Sequence, residues 1–190
     1  MKRILLHTCC GPCSTYTVKR LREELLAVTG FWCNPNIHPF TEHRRRLENL
    51  ERFAQIVQMP LIVEEGYDII DYLRAVAGYE REGERCLICY RLRLERTAQV
   101  ASMKGFDYFG TTLLISPYQQ HDSLKQIGED MASLYGVPFY YEDYRSGFKE
   151  SRNLSRELDL YRQQYCGCVF SEWERFRDKP PRRETKMTGK

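Results

Sequence analysis

The strongest constraint in this sequence is the arrangement of its cysteines, because seven of the eight fall into three short groups. We name them the first group (Cys9, Cys10, Cys13), the second group (Cys86, Cys89) and the third group (Cys166, Cys168). Cysteines used as small core residues follow the periodicity of their helix or strand, whereas close pairs bring thiolates within reach of a shared metal. Seven grouped thiolates exceed what one tetrahedral zinc ion takes, so the pattern predicts iron–sulfur or multi-metal chemistry.

The eighth cysteine, Cys33, lies in an apolar run and is predicted to be a core residue. A disulfide scaffold is the competing explanation, but such scaffolds are usually shorter than about 100 residues and follow a secretory leader. The apolar run at residues 4–6 is too short for a leader, and no run approaches the ~20 apolar residues of a membrane span. We therefore expect a soluble, cytoplasmic protein with no membrane contact, whose cysteines are thiols or metal ligands.

Short apolar runs alternate with helical periodicities, which predicts an α/β fold with a doubly wound parallel sheet. Strands are predicted at residues 4–6, 27–33, 61–63, 106–115 and 138–141. A helix near residues 154–163 is predicted to deliver the third cysteine group. One catalytic domain is expected over residues 1–178, and the basic stretch 179–190 has no apolar periodicity, which predicts a disordered tail.

The polar segments that follow the predicted strands indicate where a site would lie. In a doubly wound sheet, ligands bind outside the carboxyl ends of the strands. The first cysteine group follows the first predicted strand, residues 34–36 follow the second, residues 116–120 follow the fourth, and Asp143 with Arg145 follows the fifth. All of these segments are therefore expected at one edge of the sheet.

The net charge of +3 conceals several concentrations of basic residues, such as Arg44, Arg45 and Arg46. A nucleic acid partner would require patches of this kind. Solvated helix faces explain them equally well, so charge alone does not decide between the two.

Five motifs occur in a fixed order: HTCCGPC at 7–13, NPNIHP at 34–39, CLICY at 86–90, TTLLISPY at 111–118 and LYRQQYCGC at 160–168. In this combination, which extends over roughly residues 4–170, the chain resembles the epoxyqueuosine reductase QueH family. The resemblance implies a Rossmann-like fold of the adenine-nucleotide alpha-hydrolase (HUP) type. It also implies reduction of the epoxide of epoxyqueuosine, at the wobble position of tRNA, to queuosine, which is the last step of queuosine biosynthesis.

The same resemblance implies a [4Fe–4S] cluster with a further iron ion beside it, and it does not imply cobalamin. Six cysteines carry over from the motifs as candidate ligands: Cys9, Cys10, Cys86, Cys89, Cys166 and Cys168. Cys13 joins them as a candidate from its place in the first group. Which four of the seven hold the cluster is left open by the sequence.

Removing an epoxide oxygen as water takes two electrons and two protons. We expect the iron ion to act on the oxygen as a Lewis acid, and the cluster to supply electrons from a donor such as a ferredoxin or flavodoxin. Asp143, His7 or a tyrosine hydroxyl such as Tyr118 is predicted to donate a proton, and Asp143 is alternatively an oxygen ligand of the iron. The arginines at 44–46, with Arg145 and Arg162, are expected to bind anticodon phosphates.

Two other functions compete with this hypothesis. An iron–sulfur tRNA thiolase shares the broad fold but needs ATP, and nucleotide-activating relatives carry a small-residue loop after the first strand to hold phosphates. Here that loop is residues 9–13, whose bulkier, metal-seeking side chains predict that ATP does not bind. A zinc-stabilised nucleic-acid-binding module is the non-enzymatic alternative, and visible absorption separates it from an iron–sulfur protein.

Overall fold

The computed structural model describes residues 1–179, so the predicted tail lies outside the described residues from position 180 onward. The elements, in chain order, are β1 (Arg3–His7), α1 (Gly11–Glu23), β2 (Ala27–Trp32), α2 (Phe40–Ile56), β3 (Leu61–Val63), α3 (Ile70–Val76), α4 (Glu84–Met103), β4 (Tyr108–Thr111), α5 (His121–Tyr135), α6 (Phe148–Glu157) and α7 (Val169–Phe176). Among these described helices, none combines the length and the apolar character that crossing a membrane would require.

The four strands form one parallel sheet in the order β3-β2-β1-β4. The chain builds the sheet outward from β1 through β2 to β3 and then returns to place β4 on the other side of β1. The strand order therefore reverses between β1 and β4, and in sheets of this kind the crevice at such a reversal holds the ligand. The doubly wound α/β fold predicted from the alternation of elements is confirmed.

Alternate side chains of β1 point into two separate cores. Leu5 packs with Leu94 of α4 and Leu124 of α5 on one face of the sheet. Ile4 and Leu6 pack on the other face, against α1 and α2. Because both faces of β1 are covered, its three middle residues are all apolar, as expected for an inner strand of a parallel sheet.

The end of β4 differs from the prediction of a strand through residue 115. The strand stops at Thr111, whose hydroxyl accepts a hydrogen bond from the backbone N–H of Leu113 (3.2 Å) and so turns the chain into a 3₁₀ helix over Thr112–Ile115. The fifth strand predicted at residues 138–141 is also wrong. Only an isolated bridge between Phe109 and Phe139 forms there.

The third cysteine group is not delivered by a helix as predicted. α6 ends at Glu157, and Asp159 takes a left-handed conformation (φ 48°) that stops it. Residues 160–168 then run without helix or strand to α7, which the sequence pattern did not predict. Cys168 is the N-cap of α7, with its sulfur accepting from the backbone N–H of Ser171 (3.4 Å).

Candidate metal centre

The first cysteine group occupies the turn from β1 into α1, at the reversal of strand order. Cys10 is the N-cap of α1, and its sulfur accepts from the backbone N–H of Cys13 (3.5 Å). The Sγ atoms of Cys9, Cys10 and Cys13 all lie within 4.8 Å of one another, and in the described part of the chain no other set of three histidine, cysteine or acidic ligand atoms is so close. Cys9 and Cys10 are buried.

The three sulfurs of this group share negative charge unequally. Hydrogen bonds from Cys10 and Cys13 hold the pKa of Cys9 well below its ordinary value. The pKa of Cys10 is raised, because the lowering effect of Cys13 is outweighed by the hydrogen bond to Cys9 and by burial. Hydrogen bonds to the same neighbours, with burial, raise the pKa of Cys13. One thiolate is therefore favoured over three unless a cation enters, which is the behaviour expected of a metal-binding set.

Threonines at the end of β4 connect this group to the neighbouring strand. The Thr112 hydroxyl accepts from the backbone N–H of Cys9 (3.3 Å) and donates to the Cys9 sulfur (3.5 Å). His7 is hydrogen-bonded through Nδ1 to the Thr111 hydroxyl (2.9 Å) and through Nε2 to the Asn34 side-chain oxygen (3.2 Å). Burial lowers the pKa of His7 to about 3, so the ring is neutral at neutral pH and links three strand ends.

The second and third groups face each other across the start of α4. Cys86 and Cys89 lie on the first turns of that helix, and Cys89 packs in one apolar cluster with Cys168. Burial raises the pKa of Cys89 to about 12, with Cys166, Cys168 and Cys86 adding to the effect against the opposing Arg93. Thiolates at these four positions would therefore repel one another without a cation between them.

Two side chains connect these groups to the first. The Gln163 side-chain amide donates to the sulfurs of Cys10 (3.3 Å) and Cys13 (3.8 Å) from the segment that carries the third group. Arg93 is 2% exposed, and its Nη2 has no hydrogen-bond partner among the described residues. Burial acts to lower the pKa of Arg93, but Cys89, Cys166 and Cys9 raise it. The Gln163 hydrogen bonds and the packing of Cys89 with Cys168 place the three groups in one region, and in the described part of the chain only the first group has three sulfurs within 4.8 Å of one another.

The three predicted proton donors have different surroundings. His7 is buried behind the first group with both ring nitrogens bonded. Asp143 lies at the rim, where hydrogen bonds from the Arg145 side chain (2.9 and 3.0 Å) hold the pKa of the carboxyl at about 2. Tyr118 is 81% exposed, beside Phe148 and next in sequence to Gln119, whose side-chain amide donates to the Cys166 sulfur (3.7 Å).

The predicted phosphate-binding arginines divide into two kinds. Arg44 and Arg162 are exposed, and the exposed Arg45 stacks over the ring of Tyr161 at 3.7 Å. Arg46 is 1% exposed and its guanidinium is committed to Glu42 and to backbone carbonyls, so the prediction that it binds phosphate is wrong.

Sequence reasoning missed Arg93 and Gln163 and assigned Arg46 the wrong role. For Arg93 a signal exists, because it follows Cys89 by four residues and so shares its helix face. The roles of Arg46 and Gln163 depend on contacts with segments distant in sequence, which no local pattern encodes.

Comparison with known proteins agrees with these observations. The family model described as epoxyqueuosine reductase QueH matches residues 4–174. The chain is 43% identical over 174 residues to the epoxyqueuosine reductase QueH of Dehalococcoides mccartyi, covering 92% of this chain and 94% of that protein. It is 37% identical over 182 residues to the protein of the same name from Thermotoga maritima, covering 92% and 93%.

Two solved structures share the fold at low sequence identity. One is described as a predicted subunit of a tRNA methyltransferase from Methanocaldococcus jannaschii (TM-score 0.58, 13% identity, 83% of this chain and 75% of that chain). The other is the U34-tRNA thiolase NcsA of Methanococcus maripaludis with its [4Fe-4S] cluster (TM-score 0.56, 14% identity, 90% and 61%). They confirm the α/β fold with its parallel sheet. The family match and the relatives establish that the chain belongs to the epoxyqueuosine reductase QueH family and is an oxidoreductase.

Proposed function

We propose that this chain reduces the epoxide of epoxyqueuosine in tRNA to give queuosine, using a [4Fe–4S] cluster held by four of the seven grouped cysteines and an iron ion beside it. Family membership supports the reaction. The observation that supports the cofactor proposal is the close set of three sulfurs at Cys9, Cys10 and Cys13, with the third group connected to it by Gln163 and the second group packed against Cys168. A cytoplasmic location belongs to the same proposal, because the substrate is a tRNA.

The donor set fits an iron–sulfur centre. Thiolates are the ligands that iron–sulfur clusters use, and Cys9, Cys10, Cys89 and Cys168 among the seven candidates are buried. A single tetrahedral zinc ion would take four thiolates and leave three unused. The buried cation Arg93 offsets the negative charge that several thiolates bring into a poorly solvated site.

The reaction adds two electrons and two protons to the epoxide, so that both carbon–oxygen bonds break, a carbon–carbon double bond forms and the oxygen leaves as water. When bound, the cluster and the iron would supply the electrons and a Lewis acid. The Asp143 carboxyl, with its pKa at about 2, is ionised at neutral pH and suits an oxygen ligand better than an acid. His7 has both ring nitrogens occupied, which leaves the exposed Tyr118 hydroxyl as the proposed proton donor.

The exposed cations near the third group would hold the anticodon backbone. Arg44, Arg45 and Arg162 are exposed, and Tyr161 lies under Arg45 in the same segment as Gln163. Phosphate contacts of this kind weaken as salt concentration rises. A ferredoxin or flavodoxin is proposed as the electron donor.

The test begins with anaerobic purification and quantitation of iron and acid-labile sulfide per chain. We expect a brown protein that converts epoxyqueuosine in tRNA without ATP. The conversion is measured by mass spectrometry of the tRNA nucleosides. Cys86→Ser and Cys168→Ser should lose the visible absorption and the activity together, because each removes a candidate ligand. Full activity in either variant would refute the ligand assignment. A requirement for ATP, with sulfur inserted into tRNA, would favour a thiolase instead, and a colourless zinc protein would refute the redox function.

A further inference from the structure

Arg46 differs from its two neighbours in α2 in its burial and in its hydrogen-bond partners. Arg44 and Arg45 are exposed, and Arg44 makes a surface ion pair with Glu48 in the next turn. Arg46 is 1% exposed, which makes it one of the largest fully buried side chains of the described chain. A buried guanidinium is costly unless its charge and its donors are all used, so its partners indicate what it is there to hold.

The partners of Arg46 come from its own helix and from the third cysteine group. Its Nε donates to Oε1 of Glu42 (2.6 Å), and the other oxygen of Glu42 accepts from the Tyr161 hydroxyl (2.7 Å). Its two terminal nitrogens donate to successive backbone carbonyls, Nη1 to Cys166 (2.8 Å) and Nη2 to Tyr165 (3.0 Å). The planar fork of an arginine can reach two neighbouring acceptors at once, whereas a lysine presents a single charged nitrogen.

The segment that receives these bonds has little structure of its own. Residues 160–168 belong to no helix or strand, so their carbonyls depend on donors from elsewhere. A second anchor comes from the loop before α2, where the backbone N–H of His38 donates to Gly167 O (2.8 Å) and the Tyr165 hydroxyl donates to His38 O. The contact is tight, because a Cβ on Gly167 would lie 3.3 Å from Nη1 of Arg46.

We propose that Arg46 is a positioning residue for the metal centre, which fixes the backbone of Cys166 and so sets where the third group meets the other two. Arg46 touches no substrate and acts through the cysteines. The proposal rests on the proposed function in that the centre is the iron–sulfur site assigned there.

The experiment compares four full-length proteins: wild type, Arg46→Lys, the double variant Glu42→Gln with Arg46→Met, and Arg44→Met. The double variant avoids leaving the Glu42 carboxylate buried without a partner. In the metal-free proteins, hydrogen exchange should accelerate about tenfold or more in the double variant at two bonded amides, Gly167 (to the Ser171 hydroxyl) and His38 (to Gly167 O), because two hydrogen bonds from a charged donor that hold this segment are lost. Arg46→Lys should restore part of the protection, and Arg44→Met should match wild type.

Iron binding then separates positioning from simple stabilisation. After anaerobic reconstitution, the double variant should bind iron about 10- to 100-fold more weakly, as is usual when the residues that orient metal ligands are removed, and its visible spectrum should change. Unchanged exchange in the double variant, or faster exchange with wild-type iron binding and spectrum, would overturn the proposal. If the double variant does not fold, Arg46→Lys decides, and wild-type behaviour there would refute the role of the fork. A wild-type protein that takes up no iron would refute the proposed function, while the exchange comparison would still decide the place of Arg46.

Discussion

Two of the cysteine groups cap helices in the same way, but the two helices are held very differently. Cys10 accepts a backbone hydrogen bond at the start of α1, and Cys168 does the same at the start of α7. α1 follows the central strand directly and buries seven of its residues, whereas none of the residues of α7 is buried. The first group is therefore positioned by the sheet itself, and the third by side chains that reach it from other elements.

Because of this difference, the third group depends more on single residues than the first group does. At the first group, the backbone of Cys9 continues β1 and is bonded to Thr112 at the end of β4, so many interactions of the sheet support it. At the third group, Arg46 and His38 supply most of the contacts described above. Two substitutions that weaken metal binding equally, one in each group, should therefore change the free energy of unfolding by different amounts.

Cys10→Ser should have the largest effect, which is a loss of bound iron and of activity. Serine is a good N-cap, so α1 should keep its start and the free energy of unfolding of the metal-free protein should change by less than about 1 kcal/mol. Iron content and epoxide reduction should nevertheless fall below detection, because a serine hydroxyl is a poor ligand for an iron–sulfur cluster. Cys33→Ala is the matched control, since Cys33 is a buried cysteine that belongs to none of the groups. Normal iron content in Cys10→Ser would exclude Cys10 as a ligand.

An intermediate effect is expected from Gly167→Ala, which probes the weakly supported region. Gly167 has φ 151°, and a Cβ there would lie 3.1 Å from Ile37 and 3.2 Å from the side-chain amide of Asn36. Backbone strain and close contact together should destabilise the chain by about 1–3 kcal/mol, measured by denaturant unfolding, and lower its iron content. Gly78→Ala is the control, because Gly78 also has a positive φ (84°) but open space around it. Equal losses in both variants would mean that the backbone angle alone matters.

The same contrast explains which parts of the molecule could be predicted from the sequence. The order of strands and helices up to α5 follows from apolar periodicity, and the first group follows from its position after a buried strand. Gly136 illustrates how local chemistry suffices there, since it ends α5 in a left-handed conformation (φ 69°) that glycine adopts without strain.

The region after α5 could not be predicted in the same way. Residues 138–141 have the composition of a strand, but only an isolated bridge from Phe139 to Phe109 forms, and local composition does not distinguish a bridge from a strand. A helix near residues 154–163 was predicted to deliver the third group, yet the position of that group is set by Arg46, more than a hundred residues earlier. A run of charged residues such as 44–46 predicts a solvent-exposed helix face, and only the tertiary contacts show that Arg46 is buried.

The smallest expected effect on stability comes from Asp143→Asn, which compares an exposed carboxylate–arginine pair with the buried one. The Asp143 and Arg145 side chains are 41% and 49% exposed, against 9% and 1% for Glu42 and Arg46. The Arg145 hydrogen bonds hold the pKa of Asp143 at about 2 instead of 3.8. Because the folded-state pKa is the lower one, the pair stabilises the protein above about pH 4, and this contribution is lost as the pH falls toward 2.

In Asp143→Asn, this pH-dependent part of the stability should be missing between pH 4 and 2, while stability at neutral pH should change only slightly, since exposed ion pairs contribute little. Thermal unfolding as a function of pH in the metal-free protein measures both. Arg145→Gln is the matched variant, because it removes the partner and should give the same loss. If stability at neutral pH fell as much as in the variants at Arg46, the exposed Asp143–Arg145 pair would be as important to the fold as the buried Glu42–Arg46 pair. That result would remove the distinction between them.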